Sequence, residues 1–144
     1  MKEDLTAAKD NSFVVLHTCA HNPTGVDPTK EQWEAILEIC LRKNLFCGFD
    51  NAYQGFASGS LDEDAFALRL FCEHTDNVML FQSFAKNFGL YGERAGAISV
   101  VTGSQSEKDI VMSRIKQIAR PIYSNPPVNG ARIVDIVLSD EKLT

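Results

Sequence analysis

The residue whose position points most strongly to chemistry is a lysine that follows a buried strand. The apolar run Asn77–Gln82 predicts the strand, and Lys86 comes shortly after it. A serine, Ser83, lies three residues before the lysine, and an arginine, Arg94, lies eight residues after it. Burying an ammonium group costs several kcal/mol unless the site uses the charge. We therefore predict that Lys86 forms a Schiff base with an aldehyde cofactor.

Polar residues also follow two other predicted strands. The apolar runs Phe13–His17 and Leu45–Phe49 are typical of buried strands, and Phe13–His17 is expected to be buried on both faces. His17 to Asn22 ends the first run, and Asp50 to Tyr53 follows the second. Ligands of open α/β sheets collect at the carboxyl ends of the strands. The strand pattern thus brings polar groups from three separate segments to one rim.

Strands and helices alternate along the sequence, which predicts an α/β fold with a mostly parallel sheet of about four strands and helices on its faces. The fourth strand, Gly96–Val101, follows the third with too little helical sequence for a crossover, so we expect it to be antiparallel. The expected helices are Lys2–Ala8, one that opens at Asp27–Pro28, Asp64–Cys72, Glu107–Ala119 and one from Gly130 to Leu138. Ser58–Asp62 is expected to be a turn.

Two of these helices have an apolar row at helical spacing that should face inward. In the helix after Pro28 the row is Trp33, Ile36, Leu37, Cys40 and Leu41. In the helix Glu107–Ala119 it is Ile110, Val111, Ile115 and Ile118. Both rows predict that these helices pack one face against the sheet.

The composition fits one soluble globular domain. The chain has 144 residues, 44% of them hydrophobic, and a formal net charge of −5. Scattered basic residues give no reason to expect nucleic-acid binding, and no apolar run reaches the ~18 residues of a membrane span.

The cysteines and histidines do not indicate a metal centre. The cysteines are Cys19, Cys40, Cys47 and Cys72, without a CxxC pair, and the three histidines lack ligand spacing. We interpret the cysteines as reduced, mostly buried thiols, which favours an intracellular compartment.

Four stretches, in this order along the chain, resemble the aspartate aminotransferases, the fold-type-I pyridoxal-phosphate enzymes of the class-I aminotransferase family. They are His17–Gly25, Phe49–Gly59, Ser83–Arg94 and Arg120–Pro127. The family's subunits are more than twice as long. The resemblance therefore implies that residues 1–144 are the central part of the pyridoxal-phosphate-binding large domain, with the family's amino-terminal and carboxyl-terminal parts absent.

The resemblance assigns a role to each polar group at the rim. It implies that Lys86 forms the internal aldimine with pyridoxal 5'-phosphate and moves protons. Asp50, which lies 36 residues before Lys86 as in the family, would pair with the pyridine nitrogen. The other implied cofactor contacts are Asn22 and Tyr53 to the phenolic oxygen, and Ser83 and Arg94 to the phosphate.

Each of these residues also has a purely structural interpretation. An isolated lysine or arginine is usually exposed, and an aspartate or asparagine after a strand commonly caps a turn. A buried tyrosine needs no ligand. For the complete set of motifs we favour the cofactor roles, and the family's bond between Asn22 and Pro23 is typically cis.

Five further residues receive weaker assignments. Arg120 matches the arginine that binds the substrate's side-chain carboxylate in the partner subunit's active site, and Asn22 would also contact substrate. His17 is expected to support Asp50 by a hydrogen bond, although a core histidine fits equally well. Tyr91 matches the aromatic residue beside the lysine and has a supporting role. His21 is expected to be structural and His74 to lie on the surface.

The function that the resemblance implies is transamination between L-aspartate and 2-oxoglutarate by a cytoplasmic homodimer, with a mitochondrial location also open. Neither nucleic acid nor a membrane is an expected partner. One alternative is a non-catalytic truncated fragment that retains the fold, and another is an aminotransferase for aromatic amino acids. Without the family's preceding strands, the first strand is expected to have an open edge whose unpaired backbone groups promote association.

Overall fold

The computed structural model describes residues 1–143, and the strands form one four-stranded sheet in the order β1-β2-β3-β4. The strands are β1 Phe13–His17, β2 Phe46–Asn51, β3 Val78–Ser83 and β4 Gly96–Val100. Strands β1, β2 and β3 are parallel, and β4 is antiparallel to β3. The predicted α/β fold and the direction of the fourth strand are therefore confirmed, and β1 lies at the edge of the sheet.

Six helices surround the sheet in the described part of the chain. They are α1 Lys2–Ala7, α2 Lys30–Arg42, α3 Leu61–Asp64, α4 Phe66–Cys72, α5 Gln105–Ile122 and α6 Asn129–Leu138. Helix α2 begins after Thr29 and not at Pro28, because Thr29 and Gln32 cap each other's backbone N–H groups in a capping box. The expected turn Ser58–Asp62 is wrong at its end, since Ser60 caps a helix that begins at Leu61.

The core lies between α2, α4 and one face of the sheet. The Phe49 ring packs edge-on against Phe71 with 5.0 Å between centroids, and Trp33 packs against Phe71 at 6.2 Å. Phe49 and Phe71 are fully buried, and burying a side chain of this size stabilises a fold by ~1.5–3 kcal/mol. This aromatic cluster packs strand β2 against α2 and α4.

The expectation that β1 is buried on both faces is wrong. Leu16 packs into the core, but Phe13 is 52% exposed and Val15 is 59% exposed. Successive side chains of a strand point to opposite faces, and only the face toward α2 is covered by packed helices. Val15 instead borders an open cleft on the other face.

The inward row predicted for the helix around Glu107–Ala119 is also wrong. No residue of α5 is buried, and Ile110 and Ile118 are 59% and 63% exposed. Helix α5 does not pack tightly on the sheet, because the same cleft separates its apolar row from the strands. Leu41 at the end of α2 is likewise exposed, although the rest of its row is buried.

Within residues 1–143, no helix combines the length and apolarity needed to cross a membrane.

Candidate active site

A cleft of about 830 Å³ lies between α5 and the exposed face of the sheet. Three of the residues predicted to bind a cofactor line it together: Asp50 from β2, Ser83 from β3 and Arg94 from the loop before β4. The apolar part of its wall includes Val15, Phe81, Ile98, Ile115, Ile118 and Tyr123. Two of the three segments predicted to share one rim, those that carry Asp50 and Ser83, therefore meet in this cleft together with Arg94, whereas no residue of His17–Asn22 lines it.

Asp50 is fixed by its place within the sheet. Strand β2 continues to Asn51, so the half-buried Asp50 lies within the strand and not after it. Its carbonyl accepts a hydrogen bond from the backbone N–H of Thr18 at 3.1 Å. His17 lies opposite Asp50 in the register of β1 and β2, which makes the two residues neighbours on one face. Within residues 1–143, the His17 ring and the Asp50 carboxylate share no hydrogen bond. The supporting role of His17 stays a prediction.

The turn that carries Asn22 is held by residues on both sides of it. The Asn22 N–H donates to Nδ1 of His17 at 3.4 Å, and the bond between Asn22 and Pro23 is cis, as the resemblance implies. The Asp27 carboxylate accepts hydrogen bonds from the backbone N–H groups of Ala20 and His21, the latter at 2.8 Å. Sequence reasoning placed Asp27 at the start of a helix and missed this role.

Lys86 lies in a tight loop after β3. The Ser83 hydroxyl accepts a hydrogen bond from the Ala85 N–H at 3.2 Å, and the Lys86 carbonyl accepts one from Gly89 at 3.0 Å. Gly89 has a φ of +66°, a conformation that suits glycine. Lys86 is half-buried, and its Nζ lies 4.5 Å from the centroid of the Tyr91 ring. The lysine is therefore not a freely solvated surface residue.

Helix α6 holds the backbone that carries Arg94. Arg94 has a φ of +51°, which is uncommon for a residue with a side chain. On either side of it, Glu93 and Ala95 pack against the buried Gly130, where an added Cβ would come within 2.9 Å of both side chains. The Asn129 amide donates to the Glu93 carboxylate at 2.8 Å. These contacts between distant segments have no signal in the sequence.

Six predicted site residues lie outside the wall of the cleft, as far as residues 1–143 define it: His17, Asn22, Tyr53, Lys86, Tyr91 and Arg120. Lys86 and Asn22 lie in the loops described above. Tyr53 is half-buried in the loop after β2, where its carbonyl accepts a hydrogen bond from Phe56 at 2.9 Å. Arg120 is exposed in the last turn of α5, beside a shallow groove that Asp109 and Gln117 also line.

The polar groups of the cleft are chemically complementary to a ligand with two different ends. The Arg94 guanidinium and the Ser83 hydroxyl are donors that suit phosphate oxygens. The Asp50 carboxylate, on the neighbouring strand, suits a cationic nitrogen. A cleft of about 830 Å³ is within the usual range for small-molecule sites. The donor set thus fits pyridoxal phosphate, which carries a phosphate and a basic ring nitrogen.

Comparison with known proteins agrees with this chemistry. The sequence model of the family described as "Aminotransferase class I and II" matches residues 1–144. The chain belongs to this family. It is 56% identical over 144 residues to the mitochondrial aspartate aminotransferase of Dictyostelium discoideum, covering all of this chain and 34% of that protein. The chain thus spans about a third of the length of this relative.

Solved structures give the same result for the fold. A mitochondrial aspartate aminotransferase from Trypanosoma brucei superposes with a TM-score of 0.95 at 45% identity, over 99% of this chain and 38% of that one. An aromatic-amino-acid aminotransferase from Burkholderia pseudomallei, described as covalently bound to pyridoxal phosphate, has a TM-score of 0.96 at 44% identity. The superposition covers 99% of this chain and 36% of the Burkholderia chain.

The names of the relatives do not decide the compartment. Matching aspartate aminotransferases are described as mitochondrial, chloroplastic and cytoplasmic. The cytoplasmic location expected from the sequence stays a prediction.

Proposed function

We propose that this chain carries the cofactor-binding part of an aspartate aminotransferase, which transfers an amino group between L-aspartate and 2-oxoglutarate with pyridoxal phosphate. The observation that carries the proposal is the meeting of Asp50, Ser83 and Arg94 in one cleft. The three residues come from separate segments, and each has the chemical type that one end of the cofactor requires. Identity of 56% to an aspartate aminotransferase supports the choice of reaction.

When bound, pyridoxal phosphate would supply a ring that withdraws electrons from the substrate's Cα. Arg94 and Ser83 hold the phosphate by charge-assisted and neutral hydrogen bonds. Asp50 keeps the ring nitrogen protonated, because its carboxylate stabilises a positive charge on a neighbouring group. Asn22 and Tyr53 would donate hydrogen bonds to the phenolic oxygen.

Lys86 has two tasks in this proposal. Its Nζ would be the amine that bonds to the cofactor's aldehyde carbon with loss of water, and as a free amine it would accept and return the proton at the substrate Cα. The lysine follows Ser83 by three residues, so the residue that holds the phosphate and the one that moves the proton share a short loop. The Tyr91 ring lies beside Nζ and restricts the positions that the Lys86 side chain can take before the cofactor binds.

Arg120 supports the choice of a dicarboxylic substrate. A guanidinium binds a carboxylate through paired hydrogen bonds, so this residue would select aspartate, glutamate and their keto acids. Arg120 is exposed in the last turn of α5 and is available to a second subunit. We propose that it acts in the partner subunit's site of a homodimer.

Cofactor titration of the full chain tests the proposal. We expect pyridoxal phosphate to bind with a new absorbance band, measured together with the dissociation constant by equilibrium dialysis. Lys86→Ala should abolish the band, whereas Lys116→Ala, at an exposed position of α5, should leave it unchanged. An equal band in the Lys86→Ala variant would contradict the proposal.

A turnover assay separates the proposed reaction from the non-catalytic alternative. Aspartate and 2-oxoglutarate are added to the cofactor-loaded chain, and oxaloacetate formation is measured. The chain spans about a third of its relatives, so we expect turnover well below that of a full-length relative, and abolished by Lys86→Ala. Cofactor binding with no Lys86-dependent turnover would support the alternative.

A further inference from the structure

Four polar residues form a hydrogen-bond network behind the cleft. We name Thr18, Asn51, Gln54 and Gln82 the strand-end network. Each of them is next in sequence to a predicted site residue, in the pairs His17–Thr18, Asp50–Asn51, Tyr53–Gln54 and Gln82–Ser83. None of the four was singled out from the sequence.

Asn51 is the centre of the network and is only 1% exposed. Its Oδ1 accepts a hydrogen bond from the Thr18 hydroxyl at 2.8 Å. Its Nδ2 donates to Oε1 of Gln54 at 2.9 Å and to Oε1 of Gln82 at 3.0 Å. The Gln82 amide returns a hydrogen bond to the Asn51 carbonyl at 3.2 Å. The side-chain donors and the acceptor of Asn51 are thus all used in this arrangement.

The network lies mainly on the side of the sheet opposite the cleft, although Gln82 also borders the cleft. Side chains alternate along a strand, so Asn51 and Gln82 share the face of the buried Phe49 while Asp50 and Ser83 face the cleft. Asn51 and Gln82 are direct partners in the register of β2 and β3. The hydrogen bond from Thr18 extends the tie to the end of β1.

Gln54 extends the network to the loop that carries Tyr53. Its Nε2 donates to the Leu61 carbonyl at 3.0 Å, so the start of α3 is joined to the end of β2. The network therefore spans three strand ends and one loop, each of which carries a predicted site residue.

We propose that the strand-end network is a positioning device that sets the distance between Asp50 and Ser83. This inference rests on the proposed function, because these two residues would hold the nitrogen end and the phosphate end of one rigid cofactor. A buried amide whose donors and acceptor are all hydrogen-bonded holds its neighbours in one arrangement. Loss of one partner leaves a buried polar group unpaired. Variants of the network should therefore weaken cofactor binding more than a core variant that lowers the melting temperature by the same amount.

Variants at the periphery of the network test this, because Asn51 itself is so buried that its replacement risks loss of the fold. Thr18→Val removes the hydroxyl at constant shape, and Thr18→Ser keeps the hydroxyl. Gln82→Met removes the amide at similar length. The matched control is Phe49→Leu, which weakens the core on the same face of β2 without touching the network.

Three quantities are measured on the full chain: the dissociation constant for pyridoxal phosphate, the melting temperature, and amide hydrogen exchange without cofactor. We expect Thr18→Val, which removes one hydrogen bond to the Asn51 side chain, to weaken cofactor binding about tenfold. Gln82→Met removes two hydrogen bonds with Asn51 and should weaken binding at least as much. Exchange should rise locally at residues 50–54 and 81–84. Thr18→Ser should restore binding, and Phe49→Leu should lower the melting temperature with little change in affinity.

Two results would overturn the inference. One is an unchanged affinity in Thr18→Val and Gln82→Met with a melting temperature lowered as in Phe49→Leu. The other is an exchange rate that rises evenly over the sheet. If the unmodified chain does not bind pyridoxal phosphate, the proposed function fails, and the exchange data still decide whether the network orders the strand ends.

Discussion

The ammonium nitrogen of Lys86 lies 4.5 Å from the centroid of the Tyr91 ring. The Tyr91 carbonyl also accepts a hydrogen bond from the Arg94 guanidinium at 3.4 Å. One residue therefore contacts both cations of the proposed cofactor site. Although 58% of Tyr91 is exposed, its ring face is used by the lysine.

Replacing the Tyr91 ring tests whether its contact with Nζ holds the Lys86 side chain in place for cofactor binding. A cation–π contact at an exposed site is worth ~0.5–1 kcal/mol. Because this contact holds the Lys86 side chain in place, Tyr91→Leu should weaken pyridoxal phosphate binding about 2- to 5-fold. Tyr91→Phe keeps a ring face and should bind nearly as the unmodified chain does. The dissociation constants come from equilibrium dialysis. An equal loss in both variants would show that the hydroxyl, and not the ring, is what matters.

The contact between α6 and the Arg94 loop gives a second prediction. In Gly130→Ala the new Cβ would meet Glu93 and Ala95 at 2.9 Å, so the loop must shift. Overpacking of this kind costs ~1–3 kcal/mol, and the shift should also weaken binding of inorganic phosphate at Arg94. Thermal unfolding and phosphate titration measure the two effects.

Gly92→Ala is the matched control for this change. Gly92 lies in the same loop, and an added Cβ there has no neighbour within 4 Å. The Gly92→Ala variant should therefore keep the melting temperature and the phosphate affinity of the unmodified chain. Equal behaviour of the two alanine variants would argue against the role of α6 in holding Arg94.

Asp64 is predicted to make the fold sensitive to acid. It is 4% exposed, and its carboxylate accepts hydrogen bonds from the N–H groups of Gly55, Ala57 and Ser58 and from the Ser58 hydroxyl. Burial works to raise the pKa of Asp64, but these hydrogen bonds outweigh it and hold the pKa below its ordinary value. Asp64→Asn loses a charged acceptor and should cost ~1–3 kcal/mol at neutral pH.

The sign of the pH dependence follows from the lowered pKa. The stabilisation is fully present above the unfolded pKa of about 4, and it is lost as the pH falls through the lower folded pKa. Urea unfolding should therefore show a gap between Asp64→Asn and the unmodified chain that closes below about pH 4. Asp62→Asn, which breaks an exposed ion pair with Arg69, should have little effect at any pH. A gap that persists in acid would contradict the assignment.

The cysteines should differ in reactivity. Cys72 is exposed, whereas burial raises the pKa of the Cys19 thiol to about 11. At neutral pH the native chain should thus take up N-ethylmaleimide first at Cys72, and Cys19 should react only on unfolding. Peptide mass spectrometry after timed labelling measures this. Early labelling of Cys19 would show that the turn around Asn22 opens readily.

Part of the site could be predicted because strand ends are visible in a sequence. Asp50 and Ser83 follow apolar runs, and parallel strands bring their carboxyl ends together, so their meeting in one cleft follows from the pattern. The strand-end network could not be predicted, because the bond between Asn51 and Gln82 depends on a register that the two segments do not encode separately.

The errors have a common physical cause. The apolar residues Phe13, Val15 and Ile118 were expected to be buried, since apolar periodicity predicts burial. In the structure these three side chains are exposed, and Val15 and Ile118 line opposite walls of the cleft. Periodicity identifies a face that avoids polar residues, but it does not distinguish a packed core from the wall of a binding site.

The central claim is that Lys86 is the amine that binds the cofactor, and reductive trapping tests it most directly. The full chain is incubated with one equivalent of pyridoxal phosphate, reduced with borohydride and mapped by peptide mass spectrometry. We predict that the phosphopyridoxyl group is found on the peptide that contains Lys86, and that inorganic phosphate competes with it. Label spread over exposed lysines such as Lys108 and Lys116, with Lys86 unmodified, would contradict the claim.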